Sequence, residues 1–421
     1  MTSSIKTTAS CADPWDADSI SVAQALAQIE SNISRLHKSE ALPIRDCLGR
    51  ISSEAVISPI NVPGHANSAM DGFAISGTSL PVDGIVDLTE IGTAFAGKVF
   101  NDECGENECV RIMTGAVIPE GTDTVIMQEQ VEQLDNQTIR IGSDHRTGEN
   151  VRAAGEDIKQ GEPVLQQGSR INPADLGILA SLGIGTLKVI RKPVVAFFST
   201  GDELVSIDKP LAKGEIHDSN RYTLHGMLSQ LKVDILDMGV IRDEPAAIRA
   251  GLLEASEKAD LIITTGGVSV GEADYIKPVL DEIGHTEFWK IAIKPGRPLT
   301  FGSVGNSVFM GLPGNPVAVM VTFSLFVTPV IRKLTGAPSS EMPLMKVRSL
   351  QDLRKKPGRC EYLRCIVARD KNNEWRVGKT GMQGSGILSS MSRANCFIVL
   401  PAENEGVKAG DLVDVQLFDQ T

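Results

Sequence analysis

The chain has 421 residues, enough at roughly 150 residues per domain for two to four domains, each with its own core. Its 53 acidic residues against 41 basic ones give a net charge of -12, which argues against nucleic-acid and anionic-membrane partners, since both select basic surfaces. A hydrophobic fraction of 42% excludes a mostly disordered chain, and 4% aromatic residues leaves little material for base-stacking platforms.

The first twenty residues lack the apolar core of a signal peptide and read as a short polar tail. Seven cysteines, an odd number in a long chain without such a signal, favour reduced thiols and a cytoplasmic location. Two C-x4-C pairs, Cys104/Cys109 and Cys360/Cys365, have the count of a four-thiolate zinc site. Both pairs fall in strand-like sequence, where small buried thiols are common, and that reading is preferred.

Residues 19–56 read as helical, with Val22, Ala25, Leu26 and Ile29 at helical spacing. From 57 to 150 the pattern changes to short apolar runs separated by Gly, Asp and Asn, which predicts a β-rich module. Residues 151–190 return to helix, opened by Asn172-Pro173-Ala174-Asp175. The run KPVVAFFST at 192–200 is nearly continuous in apolar residues, as in a strand buried on both faces. A helix is then predicted over 221–231, a strand over 233–241, a helix over 245–259 and a strand over 260–265. This alternation implies a parallel, doubly wound sheet, whose ligands bind at the carboxyl ends of its strands. The most membrane-like stretch, 309–331, is interrupted by Pro313, Asn315 and Pro316, and its apolar remainder is too short to span comfortably. It reads as a buried helix with Asn315 as N-cap and Pro316 at the first position. From 338 onward the period is two, at 345–347, 360–367, 374–377, 396–400 and 412–417, which predicts a small antiparallel barrel. The expected organisation is multi-domain α/β plus β. A segmented helical domain of 19–56 and 151–190 precedes a β-rich domain of 57–150, an α/β domain of 191–337 and a C-terminal β-barrel of 338–421.

Chemistry-bearing loops follow the predicted strands. Ser199-Thr200-Gly201-Asp202-Glu203 is a glycine turn whose amides can approach an anion and whose acids can hold a cation, although the same sequence suits a plain helix entry. Residues 264–274, TTGGVSVGEAD, lead three glycines and hydroxyl groups toward a helix, as in a phosphate or oxyanion cradle, and the acids at its end suit Mg²⁺. No Gly-Lys-Ser/Thr follows, so this is not a Walker A loop. The loop also matches G-x-S-x-G around Ser269, the nucleophile elbow of serine hydrolases. The only downstream histidine is His285, 16 residues on, too close for the usual intervening strands, which disfavours a hydrolase. Lys290, Lys294 and Arg297 put three cations near one turn, with the two lysines on one face of a strand-like stretch, and Gly311–Pro316 feeds a helix N-terminus. Together they imply a focused anion pocket on an acidic protein. Asp71, before Gly72, reads as a turn residue or a site residue. The six histidines are scattered without zinc-protease spacing, and His217 beside Asp218 reads as a surface or cap residue.

In chain order these motifs are SAMDGFA, RIMTGA, GED, STGDEL, TTGGVSVGEADY, KPGRP and GLPGNPV. The series resembles the molybdopterin molybdenumtransferases, the MoeA family, to which the E domain of gephyrin belongs, over nearly the whole chain from about residue 19. The resemblance implies a MogA-like α/β domain and an enzyme that converts adenylylated molybdopterin and molybdate to the molybdenum cofactor, releasing AMP. Carried over position by position, it places functional residues at Asp71, Thr114, Asp157, Glu203, Asp243, Asp274, Lys290 and Lys294. It adds Pro313, Pro316, Arg364 and Ser385. Glu203, Asp243 and Asp274 are expected to hold Mg²⁺, and Gly266, Gly267 and Ser269 to cradle phosphate or pterin. Lys290, Lys294 and Arg297 would balance the anionic substrate and molybdate. The family further implies a homodimer whose cleft is shared between subunits, with Asp71 and Thr114 supplied by the partner. It also suggests contacts with a MogA-like adenylyltransferase or apo-molybdoenzymes. Phe73 stands where many members carry Tyr, which removes one hydroxyl. The competing expectation is a non-catalytic molybdopterin carrier.

Overall fold

The computed structural model describes residues 19–266, 275–337 and 343–418, apart from the side chain of Phe288. The chain forms two compact units, one of 41–189 and one that joins the segment up to Glu40 to everything from Ile190 onward.

Helix α1 (Val22–Asn32) opens on a capping box. Gln24 N–H donates to Ser21 Oγ at 3.2 Å and Ser21 N–H donates to Gln24 Oε1 at 2.8 Å, which satisfies two end donors reciprocally. Ala25 and Ile29 are its buried residues. The rest of 19–56 departs from the helical expectation: it holds a short strand at Ser39–Pro43 and a 3-10 turn at Ile44–Cys47. Pro43 and Gly49 bracket that turn, and no second run of helical spacing follows.

In the unit of 41–189 the main sheet is built from β1 (Gly72–Ile75), β2 (Ile85–Ala94), β3 (Glu108–Ile112), β4 (Thr124–Met127), β5 (Glu132–Gln133) and β6 (Thr138–Gly142), beside shorter strands in two-stranded pairs. They make one sheet of order β4-β1-β3-β2-β6-β5. All neighbours are antiparallel except β2 and β3. Phe73, Ile75, Cys109, Ile126, Ile139 and Ile141 fill one core and Ala74, Val110, Ile112 and Val125 another, the alternation expected of a sheet covered on both faces. Burial raises the thiol of Cys104 to about 11 and that of Cys109 to about 12, so both act as small apolar side chains rather than thiolate ligands. Residues 151–190 also contain less helix than their composition suggests. The single helix α2 (Pro173–Ser181) starts at a second capping box, Asn172 with Asp175, with Pro173 in the first turn.

The α/β sheet contains β7 (Val194–Thr200), α3 (Ser219–Gln230), β8 (Asp234–Ile241), α4 (Pro245–Lys258), β9 (Leu261–Thr265), α5 (Ile276–Ile283), β10 (Gly284–Lys290), β11 (Pro298–Val304) and β12 (Ser307–Leu312). Strand order is β8-β7-β9-β12-β11-β10. The first four run parallel, as the alternating sequence predicts. The edge differs: β11 is antiparallel to both neighbours, and toward β12 this follows from the two-residue Gly305-Asn306 turn, which is too short for a parallel crossover. Helices cover both faces. Val195, Phe197, Ile263 and Met310 pack with Leu224 and Leu228 of α3, while Ala196, Phe198, Ile262 and Phe309 pack with Ile248 and Leu252 of α4 and with Ile276 and Leu280 of α5.

After β12, α6 (Pro316–Thr322) runs through a π-helical turn at Phe323–Val327 into α7 (Thr328–Thr335). The combined helix of 20 residues is longer than the sequence suggests, and long and apolar enough to cross a membrane; 67% of its most apolar window is buried in this unit. Pro316 lies in the first turn and Asn315 at the N-cap, but the Asn315 side chain makes no capping hydrogen bond.

The C-terminal region closes into a five-stranded barrel of β13 (Leu344–Ser349), β14 (Cys360–Arg369), β15 (Trp375–Lys379), β16 (Cys396–Leu400) and β17 (Leu412–Leu417), with the short helix α8 (Leu388–Ser392) between β15 and β16. The ring runs β14-β15-β13-β17-β16 and closes between β16 and β14. It differs from a wholly antiparallel barrel at one pair, β13 with β15, which is parallel. Val347, Leu363, Cys365, Val377, Cys396, Ile398 and Val415 fill the interior, and burial pushes the thiols up to about 12 for Cys365 and about 11 for Cys396.

Candidate functional site at the carboxyl edge of the sheet

The carboxyl ends of β7, β8, β9 and β12 bring together the loops that the sequence marks for chemistry. Gly201 has φ +148, and a Cβ at that position would meet a Glu203 carboxyl oxygen at 2.7 Å, so the absence of a side chain lets Glu203 fold back over the turn. Gly266 has φ +84, and a Cβ there would stand 2.6 Å from the Thr200 carbonyl oxygen. Gly266 is therefore required by the close approach of two strand ends, whereas the neighbour of Gly201 is the Glu203 carboxylate. Asn220, in the first turn of α3, donates Nδ2–H to the Gly314 carbonyl at 2.7 Å, which ties that helix to the loop after β12.

Several buried side-chain oxygens at this edge lack a hydrogen-bond partner among the described residues. Buried atoms without a hydrogen-bond partner include Thr200 Oγ1, Thr264 Oγ1, Asp218 Oδ2, Asn220 Oδ1 and Asp243 Oδ1. Each such group costs roughly 1–3 kcal/mol if nothing binds it. Five such groups lie at this edge among the described residues. Burial, with the nearby acids Asp202 and Glu203, raises the Asp243 carboxyl above its ordinary value. Among the described residues no three acids, histidines or cysteines already converge as a metal site. Asp274, the third expected ligand, lies outside the described residues, as do Gly267 and Ser269.

A cavity of about 620 Å³ adjoins this edge, lined by Gly201, Asp202, Asp218, Arg221, Tyr222 and Arg242 among others. Arg221 is engaged at 2.8 Å with Asp237, and Arg242 stands 4.0 Å from Glu244. Lys290 ends β10, in register with Pro298, so it and Arg297 belong to the same edge. Lys294 does not share a strand face with Lys290. The chain turns at Ile291, whose N–H donates to the Arg297 carbonyl at 2.7 Å, and Lys294 lies in a separate two-residue strand paired with β14. There its Nζ meets Glu361 at 3.1 Å. The nucleophile-elbow reading fails on geometry as well as spacing. His285 is the second residue of β10, and the strand continues for five more residues, roughly 17 Å, to the carboxyl edge.

The barrel approaches through the loop 383–385. Arg364 on β14 is 1% exposed. Its Nε–H donates to Ser390 Oγ at 3.0 Å and its Nη2–H to the Gly384 carbonyl at 2.9 Å, so it shapes the loop that carries Ser385. Among the described residues no carboxylate bonds it, and burial holds its pKa below the ordinary guanidinium range. Val317 N–H, next to Pro316, donates to the Ser385 carbonyl at 3.1 Å, which places that loop beside the start of α6.

In the unit of 41–189, two separately chosen motifs meet. Asp71 Oδ1 accepts from Thr114 N–H at 2.7 Å and from Thr114 Oγ1–H at 2.8 Å, and these bonds hold the Asp71 carboxyl below its ordinary value of 3.8. Asp157 does not join them; its N–H donates to the Val62 carbonyl at 3.0 Å in a separate turn.

Comparison with known proteins agrees with this layout. Residues 20–183 match the MoeA N-terminal region (domain I and II), 196–333 the probable molybdopterin binding domain and 346–418 the MoeA C-terminal region (domain IV). A molybdopterin molybdenumtransferase from Haemophilus influenzae is 43% identical over 383 residues, covering 91% of this chain and 94% of the relative. The chain belongs to the MoeA family of molybdopterin molybdenumtransferases. A Nostoc molybdopterin molybdenumtransferase is 37% identical, covering 88% of this chain and 86% of the relative. Gephyrin of Dictyostelium discoideum is 34% identical over 90% of this chain and 59% of its own length. The crystal structure of the molybdopterin biosynthesis moeA protein from Pyrococcus horikoshii aligns with a TM-score of 0.82 at 29% identity, covering 95% of this chain and all of that one. The chain is thus a transferase of molybdenum cofactor biosynthesis.

Within this transferase, sequence reasoning missed the partners of the chosen residues: Asp202 beside Asp243, Glu361 on Lys294, and Ser390 with Gly384 on Arg364. It also passed over Asp218 and Asn220, whose only sequence signal is a capping residue at a helix entry. Their unpaired oxygens exist only in three dimensions.

Proposed function

We propose that this transferase inserts molybdenum from molybdate into adenylylated molybdopterin and releases AMP. The observation that supports the reading is the carboxyl edge, where close-packed glycine turns, buried acceptors and the acids Asp202, Glu203 and Asp243 gather at the β7 and β8 end, with Lys290 and Arg297 on the same edge at the β10 and β11 end. An adenylylated pterin phosphate asks for this combination: amides and cations for the phosphates, acceptors for ring and sugar donors, and acids for a cation. Asp243 Oδ1, buried without a donor and raised by Asp202 and Glu203, fits Mg²⁺. Glu203 and Asp243 would hold it, with Asp274 as third ligand. When bound, the ion neutralises pyrophosphate charge and activates the bond to adenylate.

The remaining work belongs to this chain's own groups. Gly201 and Gly266 let backbone amides approach the phosphates. Glu203 orients the attacking water. Lys290 and Arg297 balance the charge of phosphate and molybdate. The buried Arg364, without a carboxylate, holds the loop that offers Ser385 to the oxyanion. Two copies share the cleft, Asp71 and Thr114 of one completing the site of the other.

Replacing Glu203 or Asp274 by Ala is expected to abolish AMP release, measured by chromatography with Mg²⁺ and molybdate present, without lowering the thermal midpoint. Full activity in both variants would remove them from the metal role. A carrier without turnover would instead bind molybdopterin tightly and release no AMP.

A further inference from the structure

At the entry of α3 two acceptors lack donors. Asp218 is the N-cap and is 4% exposed. Its Oδ1 accepts from Arg221 N–H at 3.1 Å, which satisfies the helix end, while its Oδ2 is buried with no partner. Capping needs one oxygen, so the second is unused by the fold. Asn220 lies two residues on. Its Nδ2–H donates to the Gly314 carbonyl, which fixes the amide orientation and commits Oδ1, also buried and unpaired, to accept. Asp218 lines the 620 Å³ cavity, whose walls include the half-exposed ring of Tyr222 with Leu204, Val205 and Val240. Two acceptors two residues apart at one helix entry, the first of them lining a cavity with an aromatic wall, suit a flat heterocycle that presents two neighbouring N–H donors. A pterin has that edge, at N3–H and the 2-amino group. Adenine does not, since each face of its amino group is flanked by a ring-nitrogen acceptor.

We infer that Asp218 and Asn220 bind the pterin ring of the substrate, accepting hydrogen bonds from its N3–H and 2-amino groups with Tyr222 against the ring face. The inference rests on the proposed molybdopterin chemistry and assigns its pterin end to residues that only the structure singles out. Loss of these bonds weakens pterin binding and leaves adenylate binding alone, because the adenylate lacks the paired donor edge.

The test compares Asp218→Asn and Asp218→Ser with wild type in the full chain. Both substitutes cap helices about as well as Asp, so the fold is retained, which the thermal midpoint checks. Asn turns the free oxygen into a donor that opposes the pterin donors; Ser removes it. Calorimetric titration with molybdopterin, with AMP and with Mg²⁺ reads three affinities. The expected result is a loss in molybdopterin affinity of about ten- to a hundredfold in both variants, with AMP and Mg²⁺ affinities unchanged. In turnover KM rises more than kcat falls. Wild-type molybdopterin affinity in either variant overturns the inference. So does an equal loss of AMP affinity, or a loss of Mg²⁺ affinity with pterin binding intact, which would assign Oδ2 to the cation. Failure of wild type itself to bind molybdopterin overturns this inference together with the functional reading beneath it.

Discussion

Two aspartates in this chain are displaced in opposite directions, and the signs predict different pH behaviour. Asp243 is raised by burial and by Asp202 and Glu203. Its contribution to stability is fullest below the ordinary value of 3.8 and is lost as pH rises through the raised value, so at neutral pH it costs the metal-free protein stability. Asp243→Asn should therefore raise the thermal midpoint of metal-free protein and cancel its stabilisation by Mg²⁺, both read by scanning calorimetry. An unchanged Mg²⁺ effect would show that the cation binds elsewhere. Asp71 is lowered by the two donors of Thr114. Its contribution is present above 3.8 and lost as pH falls through the lowered value. Thr114→Val removes the hydroxyl donor, so the Asp71 carboxyl, followed by NMR titration, should move back toward 3.8. The motifs SAMDGFA and RIMTGA made both residues legible in the sequence, but their pairing over 43 positions was not, because register between strands fixes it. Lys294 shows the converse: spacing placed it with Lys290, and a turn at Ile291 gave it Glu361 instead.

Elements were legible where periodicity and caps agreed. The buried strands β7 and β9 and the helices α3 and α4 lie within a few residues of expectation because continuous apolar runs and Pro- or Asp-led entries specify them. The segmented helical region was overestimated, since Ala, Leu and Ile at loose spacing serve short strands and turns equally well. The antiparallel hairpin of β11 and β12 depended on a turn of two residues. At this scale Gly266 follows β9 at the proposed cradle: Gly266→Ala adds a Cβ against the Thr200 carbonyl at a φ of +84. It should lower molybdopterin affinity by about tenfold or more while β9, deep in the core, remains folded. Arg364→Ala strands the Gly384 carbonyl and Ser390 hydroxyl and empties a buried volume. Denaturant unfolding should show a loss of about 3 kcal/mol. Arg364→Lys should recover little of it, since one ammonium cannot reproduce the planar fork.

For the whole molecule, the net charge of -12 disfavours polyanion surfaces yet says nothing of the proposed small-anion site, which would be set by a few amides and cations at one sheet edge. Three matched regions, running from residue 20 to residue 418, show that the chain carries the parts of a molybdopterin molybdenumtransferase. The proposed sharing of a cleft between two copies predicts that sedimentation gives a dimer. It also predicts that a Thr114→Ala chain and a Glu203→Ala chain, each inactive alone, regain part of their activity when mixed, because one cleft of the mixed dimer is intact. The central claim is tested most directly by incubating the purified protein with adenylylated molybdopterin, Mg²⁺ and molybdate, and measuring AMP together with reconstitution of an apo-molybdoenzyme. The account predicts AMP and active cofactor formed together and dependent on molybdate; tight pterin binding with neither product would contradict it.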